Sequence, residues 1–264
     1  MNAALRVLGI GLLGPGLPDW PEGAARLAAA GRWKLEATVV PPPTRLAATE
    51  RRRAGTVVKA ALVAADAACL AAQVDPARLP TIFTSSTGEP ANCHALCEAL
   101  ATPERLVSPT RFTNSVHNAP GGYWHIATQS MAASTSLGAY DASFAAGLLE
   151  AAVQCQATGA AVLLVASDVP YPEPLHAKRP VLDAFSVAMV LAPDAAGQAG
   201  PRLVVSLLGE AAATPCADGG LEAVRMGIPA ARSLPLLAAI ASGARASLVI
   251  EGWPGAALGV EVWP

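Results

Sequence analysis

The chain has 264 residues, of which 53% are hydrophobic and 14% are charged, and its mean hydropathy is +0.40. A formal net charge of −2 argues against nucleic acid or an anionic membrane surface as a partner. No apolar run approaches the roughly 20 residues of a membrane span, and the first residues lack the long apolar region of a signal peptide. Five cysteines fit a reducing cytoplasm better than a disulfide framework. We therefore expect a cytoplasmic protein whose apolar excess reflects a buried partner interface or an alanine-rich composition bias.

The first part of the chain predicts a strand followed by two helices. Leu5 to Leu13 has the apolar pattern of a strand and contains a Gly-x-Gly-x-x-Gly pattern beginning at Gly9. The dinucleotide-binding form of this pattern must open a helix directly, and the prolines that follow the strand prevent one here. Residues 20–31 favour a short helix, and a long helix is predicted from Glu50 to Cys69. The three arginines after Glu50 indicate a solvated or partner-contacting face.

The next segment predicts a short strand and a cysteine-bearing helix. Pro80 to Ser85 has the pattern of a buried strand. Cys93 and Cys97 follow at helical spacing with His94 beside them, a combination that can bind metal. However, His94 points about 100° away from Cys93 on a helix, and the sequence offers no second ligand pair. We therefore predict no metal site and no cofactor, and we expect a loop from Leu106 to Thr113.

The stretch from Thr113 to Asp168 is the most informative part of the sequence. A helix-compatible run opens at a Pro-Gly-Gly turn, and residues 134–139 then predict a short strand of small side chains. Residues 141–156 favour an alanine-rich helix, and residues 161–166 form a continuous apolar run that is typical of a strand buried on both faces. These elements make a βαβ unit, whose strand-to-helix turn is where a nucleophile or ligand site commonly lies.

The rest of the chain predicts a proline-rich loop, four more strands and one helix. The loop spans residues 169–174. Strands are predicted at residues 183–191, 202–208, 246–251 and 257–263, and a helix at residues 233–241.

Two motifs in the stretch from Thr113 to Asp168 resemble the nucleophile region of the β-ketoacyl synthases. They are T-N-S-V-H-N-A-P-G-G-Y-W-H-I-A-T and S-T-S-L-G-A-Y-D-A-S-F-A-A-G-L-L-E-A. An ungapped alignment through Asn118, Gly122 and Ile126 places the reactive cysteine of that family at Asp141. Counting back from the buried strand at residues 162–166 reaches the same residue. The two counts agree, and the residue is not cysteine.

This resemblance implies an α/β protein of the thiolase-like fold with a complete first half and an abbreviated second half. The expected division is a ketosynthase N-terminal-like half at residues 1–192, a linker at residues 193–200 and a short C-terminal half at residues 201–264. We expect the C-terminal half to pack on the same core, since a full second half would need far more residues than remain.

The resemblance also implies that the chain has no condensing activity of its own. Claisen condensation in this family needs a thiolate to hold the acyl chain, and a carboxylate at Asp141 is a poor acyl carrier. The family also uses two histidines in its C-terminal half, whereas the last histidine here is His176. The degenerate nucleophile turn comprises Tyr140, Asp141, Ser143 and Phe144.

Ketosynthase-like proteins without condensing activity occur as chain length factors that pair with an active β-ketoacyl synthase. The two motifs are most similar to those of the chain length factors found in aryl polyene and pigment clusters. The implied partners are a β-ketoacyl synthase and, through the complex, an acyl carrier protein. The candidate interface or tunnel residues are Asn114, His117, Asn118, Tyr123, Trp124, Ser134 and Ser136.

Two alternatives remain open on the sequence alone. Ser134, Ser136 or Ser143 could combine with His117 or His125, with Asp141 as the orienting acid, in a serine-dependent acyl hydrolase or transferase. Against this, the sequence has no Gly-x-Ser-x-Gly elbow. The second alternative is a homodimeric scaffold or carrier-docking protein that needs no ketosynthase.

Overall fold

A computed structural model gives the fold and describes residues 2–29, 31, 33–195 and 198–264. The described residues form one sheet of eight strands in the order β3-β2-β4-β5-β1-β6-β8-β7. The strands are β1 (Asn2–Leu13), β2 (Thr81–Thr84), β3 (Ser134–Leu137), β4 (Val162–Asp168), β5 (Phe185–Pro193), β6 (Arg202–Leu208), β7 (Ala246–Glu251) and β8 (Ala257–Trp263).

Helices cover both faces of this sheet. They are α1 (Trp20–Ala28), α2 (Ala48–Arg53), α3 (Thr56–Ala72), α4 (Pro90–Ala101), α5 (Pro109–Asn114), α6 (Ala119–Thr128), α7 (Ser143–Thr158), α8 (Gly219–Gly227) and α9 (Leu234–Ser242). Short 3-10 turns at Pro76–Arg78 and Pro229–Ser233 precede β2 and α9.

The sheet is mixed, and the predicted βαβ unit is confirmed. Strand β2 is parallel to both β3 and β4 and lies between them, so α7 crosses over β2 on its way from β3 to β4. Strands β4, β5, β1, β6, β8 and β7 pair antiparallel. All residues of β4 are buried, which explains its uninterrupted apolar sequence.

Alternate residues of the central strands point into two separate cores. In β4, Leu164 faces a core that contains Phe144 and Leu148 of α7, together with residues of α9. Leu163 faces the second core, which is built on α3 and on Trp124 of α6. This is the three-layer arrangement expected of an α/β protein.

The glycines of the Gly-x-Gly pattern in β1 allow α3 to approach closely. A Cβ atom at Gly11 would overlap the carbonyl oxygen of Ala64, and one at Gly9 would overlap that of Ala68. The pattern therefore serves strand-to-helix packing, in agreement with the rejection of a nucleotide site.

The prediction of one long helix from Glu50 is wrong, because the helix is interrupted between α2 and α3. The carboxylate of Glu89 lies in the break, where the backbone N–H of Val57 opposes the rise in its pKa that burial causes. Gly55 leaves room for it, since a Cβ atom there would overlap this carboxylate. Gly55 is a local signal for the break, whereas the carboxylate that occupies it comes from a distant segment.

The predicted loop from Leu106 to Thr113 is also wrong, because α5 begins within it. Ser108 caps α5 by accepting a hydrogen bond from the N–H of Arg111 at 3.4 Å, and Pro109 is the first helical residue. Helix α8, which Asp218 caps, was not predicted at all. Residue 30 of the first predicted helix and residues 196 and 197 of the predicted linker lie outside the described residues.

Candidate functional site at the turn between β3 and α7

The turn that joins β3 to α7 has a strained and well-fixed backbone. Tyr140 has a φ of 54°, a left-handed conformation that is uncommon for a bulky residue. The hydroxyl of Ser143 accepts a hydrogen bond from the N–H of Ala139 at 3.0 Å and donates one to the carbonyl of Tyr140 at 2.7 Å. These bonds close the turn on itself, and α7 begins two residues after Asp141.

Two arginines from distant segments bind the carboxylate of Asp141. Arg179 follows β4 and approaches Oδ1 at 2.8 Å, and Arg232 lies in the 3-10 turn before α9 and approaches Oδ2 at 3.5 Å. The guanidinium of Arg179 also stacks over the ring of Tyr140, 3.4 Å from its centroid, and donates to the hydroxyl of Ser86 at 2.6 Å. The turn is therefore held by charge as well as by hydrogen bonds.

The sequence analysis missed both arginines. Arg232 is almost fully buried, with 5% of its surface exposed, and burial lowers its pKa while Asp141 opposes that shift. The pKa of Arg179 is lowered first by burial and then by the charge of Arg232. The only sequence signal is that Arg232 stands alone in an otherwise uncharged run from Gly227 to Ala244.

Further charged side chains from the C-terminal part of the chain extend this group of ion pairs. Glu251, at the end of β7, contacts Arg232 directly and lies 3.7 Å from Arg225. Arg225 pairs with Glu222 at 2.7 Å on α8. The C-terminal part of the chain thus supplies two of the three cations and two of the three carboxylates in this network.

An open cavity of about 360 Å³ adjoins the turn. It is lined by residues 139–142, by Glu210 and Ala211, and by residues 251–256. The last group includes the Glu-Gly-Trp-Pro-Gly loop at residues 251–255. The structure places this loop opposite Asp141.

A buried carboxylate organises the neighbouring strand end. Asp168, which has no exposed surface, accepts hydrogen bonds from the N–H groups of Ser86 at 2.7 Å and Thr87 at 2.9 Å, and from the hydroxyls of Ser85 and Thr87. Burial raises the pKa of Asp168 to about 6 against the effect of these donors. Because Ser86 also binds Arg179, this carboxylate helps to position the arginine beside the turn.

Three of the predicted interface residues lie together around a different cavity, of about 330 Å³. Asn114, Asn118 and Tyr123 line it on α5 and α6. The Tyr123 hydroxyl donates to Oδ1 of Asn114 at 3.0 Å, and Nδ2 of Asn114 donates to the carbonyl of Arg53 at 2.9 Å. Trp124, in contrast, is fully buried in the α3 core.

The family described as beta-ketoacyl synthase, N-terminal domain, matches residues 25–247. The chain belongs to this family. The match continues through residues 193–200, and the predicted division of the chain at that segment stays a prediction. No match was found among the curated proteins.

Solved structures of ketosynthase complexes share the fold of this family member. One is the ketosynthase ApeO in complex with its chain length factor ApeC from Xenorhabdus doucetiae, with a TM-score of 0.74, 22% identity, and coverage of 98% of this chain and 99% of that chain. The ishigamide ketosynthase/chain length factor has a TM-score of 0.72, 15% identity, and coverage of 98% and 99%.

A third relative is AntDE:AntF, a type II polyketide synthase acyl carrier protein in complex with its ketosynthase bound to the hexaketide. It has a TM-score of 0.73, 12% identity, and coverage of 100% of this chain and 99% of that chain. These likenesses confirm the thiolase-like α/β fold that the sequence predicts.

The remaining predicted site residues of this ketosynthase-family chain lie on the edge strand β3, before α6 and on α7. The hydroxyl of Ser134 accepts a hydrogen bond from Thr81 at 2.9 Å, and Ser136 is half-buried. Nε2 of His117 lies 3.0 Å from the carbonyl of Ser85, so this nitrogen donates the hydrogen bond. Phe144 is fully buried in the α7 core.

The described contacts do not assemble a serine hydrolase relay in this ketosynthase-family fold. The hydroxyls of Ser143 and Ser134 bind the turn backbone and Thr81, and His117 binds the carbonyl of Ser85. Asp141 pairs with arginines instead of orienting a histidine.

Two further observations concern the part of the chain that the structure describes. No three side chains of His, Cys, Asp or Glu within it gather in a way that could hold a metal ion. None of its helices is long and apolar enough to cross a membrane.

Proposed function

We propose that this chain is a non-condensing ketosynthase-like subunit, a chain length factor, that pairs with an active β-ketoacyl synthase and helps to shape its acyl tunnel. The observation that carries the proposal is the state of Asp141. A carboxylate neutralised by Arg179 and Arg232 stands where the resemblance places the nucleophilic thiolate. Such a group neither attacks a thioester nor holds an acyl chain.

The C-terminal part of the chain supports the same reading. The two histidines that the resemblance requires have no counterpart there, since no histidine follows His176. Arg232 and Glu251 face the nucleophile turn instead. Arg232 thus forms ion pairs with both Asp141 and Glu251.

The free edge of β3 is the surface we propose for pairing. The carbonyls of Ala133 and Leu137 accept hydrogen bonds from β2, so residues 133, 135 and 137 direct their backbone groups inward. Ser134 and Ser136 therefore direct their N–H and C=O groups outward, at an edge to which no other described strand is paired. An exposed strand edge is a template for pairing with another chain.

Apolar side chains on and next to α5 and α6 extend this surface. Phe112 and Ile126 are 65% and 61% exposed, and Met131, just before β3, is 96% exposed. The cavity lined by Asn114 and Tyr123 lies among them. Exposed apolar groups beside an unpaired strand edge fit a partner interface, and the shape of this cavity would contribute to the limit on chain length.

The proposal includes finer assignments that rest on the resemblance alone. An acyl carrier protein would deliver substrate through the complex, and the product would be an aryl polyene or a related polyketide. The division at residues 1–192, 193–200 and 201–264 and the cytoplasmic location are part of the same proposal. The ketosynthase/chain length factor complexes named above support the pairing by analogy of fold.

The test is co-expression with the ketosynthase encoded nearest to this chain, followed by size-exclusion chromatography with mass detection. We expect a one-to-one complex for the wild type. Ser136→Pro should abolish pairing without unfolding the chain, because proline removes only the outward N–H at this position. A well-behaved homodimer that ignores the ketosynthase would contradict the proposal.

The matched control is Leu137→Pro, which removes an inward N–H and should destabilise the β2–β3 ladder itself. Circular dichroism and thermal unfolding distinguish the two cases. If Ser136→Pro pairs as tightly as the wild type, β3 is not the pairing edge, even if a complex forms.

A further inference from the structure

Cys93 and Cys97 form a thiol pair that no part of the proposed function uses. They lie four residues apart on α4, on one face of the helix. Both residues are exposed, whereas Cys69 and Cys155 are buried and Cys216 is partly so. Within the described chain, this pair is therefore the accessible thiol site.

Helix α4 is packed loosely enough to change shape. Pro90, its first residue, is its only buried residue, and Leu100 near its end is 53% exposed. The Cβ atoms of residues four apart on a helix stand about 5–6 Å apart, and a disulfide needs about 3.5–4.5 Å. The helix must tighten or unwind over one turn to close that gap, and few packing contacts oppose this.

We propose that Cys93 and Cys97 are a reversible modification site that a low-molecular-weight disulfide oxidises to an intrahelical disulfide. One thiolate attacks the external disulfide, forms a mixed disulfide and releases one external thiolate. The second thiolate then attacks the mixed disulfide, forms the Cys93–Cys97 bond and releases the other external thiolate. The protein loses two electrons and two protons, and the external disulfide becomes two thiols.

The geometry also sets the properties of this bond. Because the helix opposes the short Cβ separation, the disulfide is strained and exposed, which makes it easy to reduce. Burial and the neighbouring Cys97 raise the pKa of Cys93, so its thiolate is scarce near neutral pH and oxidation should accelerate as the pH rises.

The site lies in the neighbourhood of the nucleophile turn. Helix α4 begins four residues after Ser86, whose hydroxyl accepts a hydrogen bond from the same Arg179 that binds Asp141. Oxidation would thus alter the surface beside the charged turn. The inference itself depends only on the thiol pair, and it stands whether or not the chain pairs with a ketosynthase.

The experiment is a redox titration of the full chain in buffers of reduced and oxidised glutathione, followed by iodoacetamide alkylation and intact-mass and peptide analysis. We expect the oxidised chain to be lighter by two hydrogens, to resist alkylation at both residues and to remain unlinked to other chains. Reduced glutathione should reverse the change. Cys216→Ser should behave as the wild type does.

Cys97→Ser is the decisive variant, because it cannot close the bond and should accumulate one glutathione on Cys93. The proposal is overturned if the wild type accumulates that adduct to the same extent as the variant. It is equally overturned if chains become linked to one another, or if both thiols stay fully alkylated in the most oxidising buffer.

Discussion

The guanidinium of Arg232 lies 3.5 Å from the carboxylate of Asp141, although one residue precedes α9 and the other precedes α7. This contact joins the C-terminal part of the chain to the turn where we predict the nucleophile position of the family. Arg179 completes the arrangement from a third segment at 2.8 Å. Three separate parts of the chain therefore meet at this turn. The effect of Asp141 on the product and its effect on the stability of the chain can be measured separately.

Asp141→Asn should lower the stability of the chain without changing the product of the complex. The substitution keeps the shape of the side chain but leaves Arg179 and Arg232 facing each other with less compensation. Breaking a buried pair costs about 3–5 kcal/mol, and because the Asp141 side chain is 37% exposed we expect roughly 1–3 kcal/mol. Urea unfolding measures the stability, and mass analysis of the product made by the complex measures the second effect. Unchanged stability with lost product would instead give Asp141 a chemical role.

Asp141→Cys should not restore condensation. A thiol at this position would lie beside two arginines, but the chain supplies no histidine after His176 to support decarboxylation. The assay is incubation of the variant alone with malonyl- and acyl-loaded carrier protein, with mass detection of the condensed product. Asp141→Ser is the control for the loss of the carboxylate. Product from the cysteine variant alone would refute the non-condensing assignment.

Glu89→Gln should flatten the dependence of stability on pH. Burial raises the pKa of Glu89 from 4.5 to about 7, so between these values the folded chain holds a proton that the unfolded chain releases. Stability should therefore fall as the pH rises from about 5 to 7, by roughly 2–3 kcal/mol. Glutamine keeps an acceptor for the Val57 N–H and should remove most of this fall. Urea unfolding from pH 5 to pH 8 measures it, and equal slopes for both proteins would contradict the assignment.

Gly11→Ala should destabilise the chain, whereas Gly122→Ala should not. A Cβ atom at Gly11 would overlap the backbone of Ala64 on α3, and overpacking of this kind costs about 1–3 kcal/mol. Nothing lies within 4 Å of a Cβ atom at Gly122, a position on α6, where alanine is the better helix former by roughly 1 kcal/mol. Thermal unfolding of the two variants gives the comparison. Similar melting temperatures would argue against close contact between β1 and α3.

The features that the sequence predicts well are those with a strong local pattern. Strand β4 was recognised from its continuous apolar run, and the βαβ unit followed from the helix before it. Helix α5 was missed because a six-residue helix has little periodicity, although Ser108 and Pro109 together are a recognisable start. The break before α3 has a local signal in Gly55, whereas the position of Glu89 beside it has none.

In the candidate site, too, some features have a signal in the sequence and others have none. The resemblance to the family led us to predict Asp141 and residues on α5, α6 and β3 as site residues, and their functional roles stay predictions. The pairing of Asp141 with Arg179 and Arg232 could not be predicted, because no spacing in the sequence relates these residues. Only the isolated charge of Arg232 in an apolar run hinted that it has a buried partner.

The position of β6 in the sheet has a consequence for how the chain can be divided. Strand β6 pairs along β1 from Asn2 to Arg6, so a chain ending after β5 would expose the start of its first strand as a new edge. It would also leave Asp141 with Arg179 alone, because Arg232 would be missing. The C-terminal residues therefore cover the edge of β1 at the start of the chain. A protein truncated after β5 would be prone to aggregate before it could meet any partner.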